Sequence, residues 1–307
     1  MHNPSPTTAP DARAADTPVA EGVTVVVPAY NEERGIAPTL REIRSVMEEM
    51  DRPWEILVVD DGSTDATAAV AAGEGARVVR VSENRGYGAA LKRGFAGATY
   101  DLGVIIDADG TYPATAIPAL LEHAGDYDMV VGARTGEDVN VPAARRPAKW
   151  FLGKLASYLA GRPIPDLNSG LRVIRRDLVE RYEHVLPSGF SFTTTITLAA
   201  LCNEGLVHYH PIDYRVRVGE SKIRPGHAFD FLMLILRTVV YFNPLKVFLP
   251  AGAVLFLIGF GKFLWDLFLV GDFSDTVVMG FLGAVLVWSV GLLSDQIART
   301  GLAPRRR

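Results

Sequence analysis

Apolar and polar positions along this chain fall into blocks. Val23-Thr24-Val25-Val26-Val27 is a nearly continuous apolar run that stops at Pro28-Ala29-Tyr30-Asn31-Glu32. Glu55-Ile56-Leu57-Val58-Val59 stops at Asp60-Asp61-Gly62-Ser63-Thr64-Asp65, and Val104-Ile105-Ile106 at Asp107-Ala108-Asp109-Gly110. Strands covered on both faces lose the two-residue alternation and read as such runs. Helical periods separate them: Leu40, Ile43, Val46 and Met47 share one face of a helix predicted over 36–50. Further helices are predicted over 66–72, 89–98 and 114–124, with short strands at 78–81 and 129–131. Strands alternating with helices at this spacing predict an α/β fold with a mainly parallel, Rossmann-like sheet. Each strand then delivers its polar end to one sheet edge, the edge at which open α/β sheets bind ligands.

The pattern changes toward the C-terminus. Residues 247–270 and 276–293 are apolar all round and long enough to cross a bilayer. The short acidic linker Gly271-Asp272-Phe273-Ser274-Asp275 joins them into a hairpin. Arg237 and Lys246 precede it, and Arg299 and Arg305-Arg306-Arg307 follow it, so both its ends are expected on the cytoplasmic side. Within the first span, Lys262 and Asp266 share a helical face and are expected to neutralise each other. Phe229 to Phe242 reads as a helix lying in the membrane interface, ended by Asn243-Pro244. The predicted order is a disordered leader (1–20), a cytosolic α/β domain (21–226), an interfacial helix (227–244), a two-span hairpin (245–295) and a basic cytosolic tail (296–307). The alternative, two core helices of a soluble protein, is disfavoured by the all-round apolarity.

Composition narrows the function. The 307 residues carry a net charge of −4, which argues against a nucleic-acid partner. Cys202 is the single cysteine, which excludes an internal disulfide or a cysteine zinc site and reads as a buried filler. The leader has no apolar core of the signal-peptide kind.

The chemistry lies at the strand ends. Asp107 and Asp109, one residue apart after a strand, share a face and can hold a divalent cation, and through it a diphosphate. Tyr30 can stack on a base; Asp60 or Asp61 can accept a hydrogen bond from a base imide or a ribose hydroxyl. Arg134, at the end of the 129–131 strand, can add positive charge near the phosphates. The glycines of Gly86-Tyr87-Gly88 lack the full dinucleotide fingerprint and are read as close helix-on-sheet packing. Four cations, Arg215, Arg217, Lys222 and Arg224, flank a Gly-Glu-Ser hinge just before the membrane segments, an arrangement suited to an anionic head group. Arg145, Arg146 and Lys149 read as a solvated or membrane-facing surface at least as readily as a ligand contact.

Together Pro-Ala-Tyr-Asn-Glu, Asp-Asp-Gly-Ser-Thr-Asp, Asn-Arg-Gly-Tyr-Gly-Ala-Ala and Asp-Ala-Asp-Gly resemble glycosyltransferase family 2, with its GT-A fold. Within that family the chain resembles the polyprenyl-phosphate sugar transferases of the dolichol-phosphate mannose synthase group, over roughly 23–224, and its hairpin resembles that of two-span bacterial members. The resemblance implies that Pro28, Tyr30, Glu32 and Asp60 or Asp61 hold the nucleotide, and that Asp107 and Asp109 serve Mg²⁺ or Mn²⁺ and the donor. Asp166-Leu167-Asn168-Ser169-Gly170-Leu171-Arg172 is similar to the family's segment near the acceptor pocket, which places Arg172 with Arg215, Arg217 and Lys222 around the acceptor phosphate.

Two departures bear on the acceptor and the donor. Where many family members carry an acidic base, this chain has Thr193-Thr194-Thr195. An alcohol acceptor must lose a proton during attack, whereas a phosphate monoester is already anionic. Thr111 stands where some relatives carry glutamine after Asp-x-Asp. The expected activity is inverting transfer of a hexose from a GDP-mannose or UDP-glucose type donor to undecaprenyl or dolichyl phosphate at the cytosolic face of the membrane. A membrane-anchored transferase acting on a glycan or protein hydroxyl is the alternative, with a non-catalytic nucleotide-sugar sensor behind it; homo-oligomerisation is left open.

Overall fold

The computed structural model describes residues 22–134, 146–215, 227–272 and 274–302. Arg217 and Lys222, the leader and the basic tail end at 303–307 lie outside the described residues. Seven strands form one sheet in the order β3-β2-β1-β4-β6-β5-β7. They are β1 (Val23–Ala29), β2 (Trp54–Asp60), β3 (Arg77–Arg80), β4 (Leu102–Ile105), β5 (Met129–Arg134), β6 (Arg172–Arg175) and β7 (Val207–Ile212). Strands β3, β2, β1 and β4 pair in parallel, as do β5 and β7, while β6 runs antiparallel to both of its neighbours. The mainly parallel expectation holds, with one reversed strand set into the middle.

Two helical layers cover the sheet. On one face, α1 (Ile36–Glu48), α2 (Thr67–Gly73) and α4 (Ile117–Glu122) pack Ile36, Leu40, Ile43, Ala71 and Leu120 against Val25, Val58, Val104 and Val130. On the other, α3 (Tyr87–Gly97), α6 (Arg176–Tyr182) and α7 (Phe192–Cys202) pack Leu91, Phe95, Leu178 and Phe192 against Val26, Leu57, Ile105 and Ile174. Successive residues of β1 and β2 thus enter opposite layers, which is why those strands are apolar throughout. The glycines of α3 divide the close approaches. At Gly94 an added Cβ would strike Val26 of the sheet, whereas at Gly86 and Gly88 it would strike backbone of the 187–189 turn. Helix-on-sheet packing therefore belongs to Gly94, and Gly86 (φ 97°) and Gly88 admit that turn instead.

A third apolar cluster joins α5 (Arg146–Ala160), α7 and α8 (His227–Phe242) through Ala156, Leu159, Leu198, Leu201, Ile235 and Val239. One face of α8 is therefore docked on the α/β unit, and Met233 and Tyr241 are exposed. Residues 243–244 lead into α9 (Leu245–Trp265), which ends in a π-helical turn over Asp266–Val270; α10 (Asp275–Leu302) returns beside it. The two helices cross at Gly259 and Gly280, where a Cβ on Gly280 would lie within 2.6 Å of the Gly259 Cα. Trp288 donates to the Leu249 carbonyl at 3.1 Å. Asp266 pairs with Lys262 and accepts from the Ser274 amide and hydroxyl, so the two charges neutralise each other as expected. Only 11% and 17% of the most apolar windows of the two helices are buried, and Leu257, Ile258, Phe268, Met279 and Leu286 face outward. Core helices of a soluble domain would bury those side chains; a bilayer covers them equally well.

Candidate active site

The C-terminal ends of β1, β2 and β4 converge through side chains that tie one loop to the next. At the β1 end, Asn31 adopts φ 54°. Its amide donates to the Ser63 hydroxyl (2.9 Å) and its Oδ1 accepts from the Thr64 amide (2.9 Å). The Glu32 amide donates to Thr67 Oγ1 at 2.8 Å. These cross-loop bonds fix the turn that presents Tyr30, 37% exposed, at the rim. Helix α1 begins beside the acidic loop: Thr39 Oγ1 donates to the Ala108 carbonyl at 3.0 Å. A Cβ built on Gly35 would lie 3.6 Å from Glu32 Oε2 and 3.7 Å from the Asp109 Cα, so the Glu32 carboxylate and Asp109 flank one point.

Asp60 and Asp61 separate into different roles. Both Asp61 oxygens accept the amides of Arg85 and Gly86, at 2.7–3.1 Å, closing the loop before α3. Three of the roughly four acceptor positions of its carboxylate are thereby used on backbone. Asp60 Oδ1 caps the Ser63 amide at 3.0 Å, while Oδ2 is buried without a hydrogen bond. The Arg80 guanidinium lies 3.2 Å from that oxygen and covers it. The Arg80 side chain is 62% exposed and also donates to the Ser63 carbonyl at 3.0 Å, which ties it to the same loop.

In the acidic loop each carboxylate has its own orienting partner. Asp109 Oδ1 accepts from the Thr111 amide (3.1 Å) and hydroxyl (2.6 Å). Thr111 is 2% exposed, so this Asx turn is set inside the fold. Asp107 Oδ1 accepts from the Tyr87 hydroxyl at 2.9 Å. Burial and the Asp107 charge push the Tyr87 pKa well above its ordinary value, which keeps it a neutral donor. Asp107 also lies hard against Gly170: a Cβ there would come within 2.8 Å of its Cγ and 2.9 Å of its Oδ1. The Gly170 amide in turn donates to the Tyr112 hydroxyl at 2.7 Å. Over the Asp107–Tyr87 pair, Phe190 stacks on Tyr87 (5.7 Å, 17°) and is 75% exposed.

The arginines expected to bind phosphate are placed differently. Arg172 is fully buried, and its guanidinium donates to the Ser169 carbonyl (2.7 Å), the Leu167 carbonyl (2.9 Å) and Thr197 Oγ1 (2.6 Å). It braces the 166–171 loop against α7 and is corrected from an acceptor ligand to a structural one. Burial pulls its pKa down. Arg134 forms a two-pronged bond to Asp166 (2.7 and 2.9 Å) and lies over the Tyr214 ring at 5.2 Å. Burial opposes both charges, yet their mutual bonds outweigh it, holding the Asp166 pKa down and the Arg134 pKa up. The added positive charge expected from Arg134 is thus balanced locally, a second correction. Arg215 grips Glu42 of α1 with two bonds at 2.8 and 2.9 Å, and its amide donates to the Thr111 carbonyl at 3.0 Å. Its charge also has a partner, so it enters the site as a tie between the acidic loop, α1 and the acceptor segment. Thr193, Thr194 and Thr195 are buried in α7, with the Thr194 hydroxyl donating to Asn168 Oδ1 at 2.6 Å.

Residues 24–183 match the family model for glycosyl transferase family 2. The chain belongs to glycosyltransferase family 2. In this family member residues 243–300 further match the GtrB C-terminal hairpin, the segment that forms α9 and most of α10. An undecaprenyl-phosphate 4-deoxy-4-formamido-L-arabinose transferase of Sodalis glossinidius is 31% identical over 296 residues, 90% of this chain and 88% of that protein. The low-salt glycan biosynthesis hexosyltransferase Agl6 of Haloferax volcanii is 32% identical over 217 residues; these are 68% of this chain and 52% of Agl6, so the chain spans about half of that relative. Among solved structures, glucosyl-3-phosphoglycerate synthase of Mycobacterium tuberculosis, in complex with Mn²⁺, UDP and glucosyl-3-phosphoglycerate, shares the fold at a TM-score of 0.57 and 24% identity. The match covers 71% of this chain and 80% of that one.

The structure brings to the acidic edge residues that no sequence motif had marked on its own. Tyr87 was read only as the middle of a Gly-x-Gly, and Gly170 only as part of an acceptor segment. Tyr112 and Phe190 carried no signal of their own, since a tyrosine or phenylalanine in a turn is uninformative until its neighbours are known.

Proposed function

We propose that this family 2 enzyme transfers a hexose from a nucleotide-diphosphate sugar to a polyprenyl phosphate, with inversion, at the membrane face that carries its α/β unit. The observation that carries the reading is the combination, in one chain, of the Asp107-x-Asp109 edge with an outward-apolar hairpin. The undecaprenyl-phosphate relative aligns across both. In this reading the nucleotide base stacks on Tyr30, with Pro28 shaping the turn and Asp60 accepting from the base once Arg80 moves. Asp109 and Asp107 supply hard oxygen donors of the kind Mg²⁺ or Mn²⁺ takes, and Glu32 stays on the nucleotide side. A bound divalent ion neutralises charge on the departing nucleoside diphosphate.

The chain's own residues do the rest. Thr111 and Tyr87 hold Asp109 and Asp107 in fixed orientations before substrate arrives, so little reorganisation is left for the reaction. Tyr87, Phe190 and Gly170 border the side of Asp107 from which an acceptor reaches the sugar. An anionic phosphate oxygen then attacks the anomeric carbon, the bond to the nucleoside diphosphate breaks, and no proton need be removed. That requirement agrees with α7 offering threonines where an acid would serve an alcohol. Arg217 and Lys222, from the segment after Arg215, remain the proposed contacts to the acceptor phosphate. Both spans, the docked α8 and the flanking cations support a two-span membrane enzyme with its catalytic unit and both termini in the cytoplasm.

The test is a comparison of donors. Radiolabelled GDP-mannose and UDP-glucose are offered separately with undecaprenyl phosphate in detergent, with Mg²⁺, Mn²⁺ or EDTA. Label passing into the organic phase from one donor, and lost with EDTA, is the expected result. Label confined to a water-soluble glycan or peptide acceptor would instead favour the hydroxyl-acceptor reading.

A further inference from the structure

Three histidines meet at the β7 margin of the sheet. His208 and His210 alternate on β7, the edge strand, in register with Val130 and Gly132 of β5. That register puts them on the face covered by α4, since Val130 belongs to the same apolar cluster as Leu120 and Leu121. His123 follows α4 directly and brings its ring to 4.2 Å from His208 and 5.9 Å from His210, centroid to centroid. One nitrogen from each of the three can be chosen so that all lie within 4.8 Å of one another. All three side chains are half-buried, and Tyr127 backs the group at 5.0 Å from His208.

We propose that His123, His208 and His210 form a binding site for a borderline transition-metal cation of the Zn²⁺ class. Three imidazoles and a water satisfy a tetrahedral ion, and neutral imidazole ranks with thiolate among the ligands such ions prefer to the carboxylates that suit Mg²⁺. Ligand nitrogens around tetrahedral Zn²⁺ stand roughly 3.3 Å apart. Closing the group from 4.8 Å brings those nitrogens together by up to about 1.5 Å. The fold gives the site a structural task. The chain enters α4 from the Asp107–Asp109 loop, and β7 runs out toward Tyr214 and Arg215, so a bound ion clamps together the two segments that lead into the catalytic edge.

The experiment uses the full chain in detergent, purified without a histidine tag, stripped with chelator and returned to excess Mg²⁺. Calorimetric titration with ZnCl₂ is expected to show one saturable equivalent and a higher melting temperature. Asp109→Ala should keep that binding, whereas His208→Gln and His210→Gln should weaken it by roughly 100-fold or more. X-ray absorption at the zinc edge of the wild-type protein should show imidazole scattering, a readout that does not depend on whether the variants fold. No saturable binding, binding that survives both histidine substitutions, or an edge spectrum without imidazole scattering would overturn the site.

Discussion

Gly170→Ala tests the acidic edge without touching a charge. The added methyl would lie within 2.8 Å of the Asp107 Cγ and 2.9 Å of its Oδ1, and closer still to Oδ2, where ordinary contacts begin near 3.4 Å. Gly170 has no left-handed φ, so alanine itself is tolerated by the backbone and the strain falls on Asp107. The carboxylate must retreat by roughly 0.5–1 Å. That retreat breaks or lengthens its 2.9 Å bond from Tyr87, a hydroxyl with charged acceptor. Displacement of a reacting-centre group on this scale costs about 100-fold in rate, or about 2.7 kcal/mol of barrier. Turnover with the preferred donor and undecaprenyl phosphate should therefore fall about 100-fold. The melting temperature should drop by only a few degrees, as befits a loss of about 1–2 kcal/mol. A well-folded variant with turnover within threefold of wild type would refute the placement of Asp107 at the reacting centre.

Three further outcomes follow from named contacts. Thr111→Val keeps the side-chain shape but removes the 2.6 Å bond that orients Asp109; a charge-assisted bond of about 1.5–3 kcal/mol predicts roughly 10- to 100-fold weaker activation by Mn²⁺, read from a metal titration of initial rates. Arg172→Met strands the Ser169 and Leu167 carbonyls and should cost about 3 kcal/mol, seen as a lowered melting temperature; a stable variant with only a raised KM for lipid phosphate would contradict its structural assignment. Asp166 has a depressed pKa in the folded state, so its pair with Arg134 adds stability above the unfolded carboxylate pKa and loses it as pH falls through the folded value. Asp166→Asn should accordingly flatten the acid limb of a stability–pH profile, and an unchanged limb would show that the pair contributes nothing there.

The strands β1, β2 and β4 were legible because burial on both faces writes an uninterrupted apolar run. Strands β6 and β7 were not. Arg172-Val173-Ile174-Arg175 is short and bounded by charge, and Val207-His208-Tyr209-His210 carries its histidines toward α4 in an alternation that reads equally well as surface. Helix α7 escaped notice for another reason: every residue from Phe192 to Leu201 is buried, so no polar stripe marks its period. The acidic pair and Tyr30 were visible as strand-end motifs, and the structure keeps them at one edge. Ion-pair partners were invisible, since Arg215 meets Glu42 from 173 residues away and Arg134 meets Asp166 from 32. A letter R reports charge but not whether a carboxylate already matches it, which is how Arg172, Arg134 and Arg215 were all assigned to phosphate. The clue that could have flagged the histidine cluster was the His-x-His spacing on an edge strand; its third member is set by tertiary packing alone.

The most direct measurement is mass spectrometry of the lipid extracted after incubation of undecaprenyl phosphate with each nucleotide sugar, using wild-type and Asp109→Ala protein side by side. The account predicts one new lipid species heavier by a single hexosyl unit, its sugar released by mild acid as expected of a phosphodiester-linked glycosyl group, and absent with Asp109→Ala. Unmodified lipid phosphate in the presence of consumed donor, or the same product formed undiminished by Asp109→Ala, would contradict it.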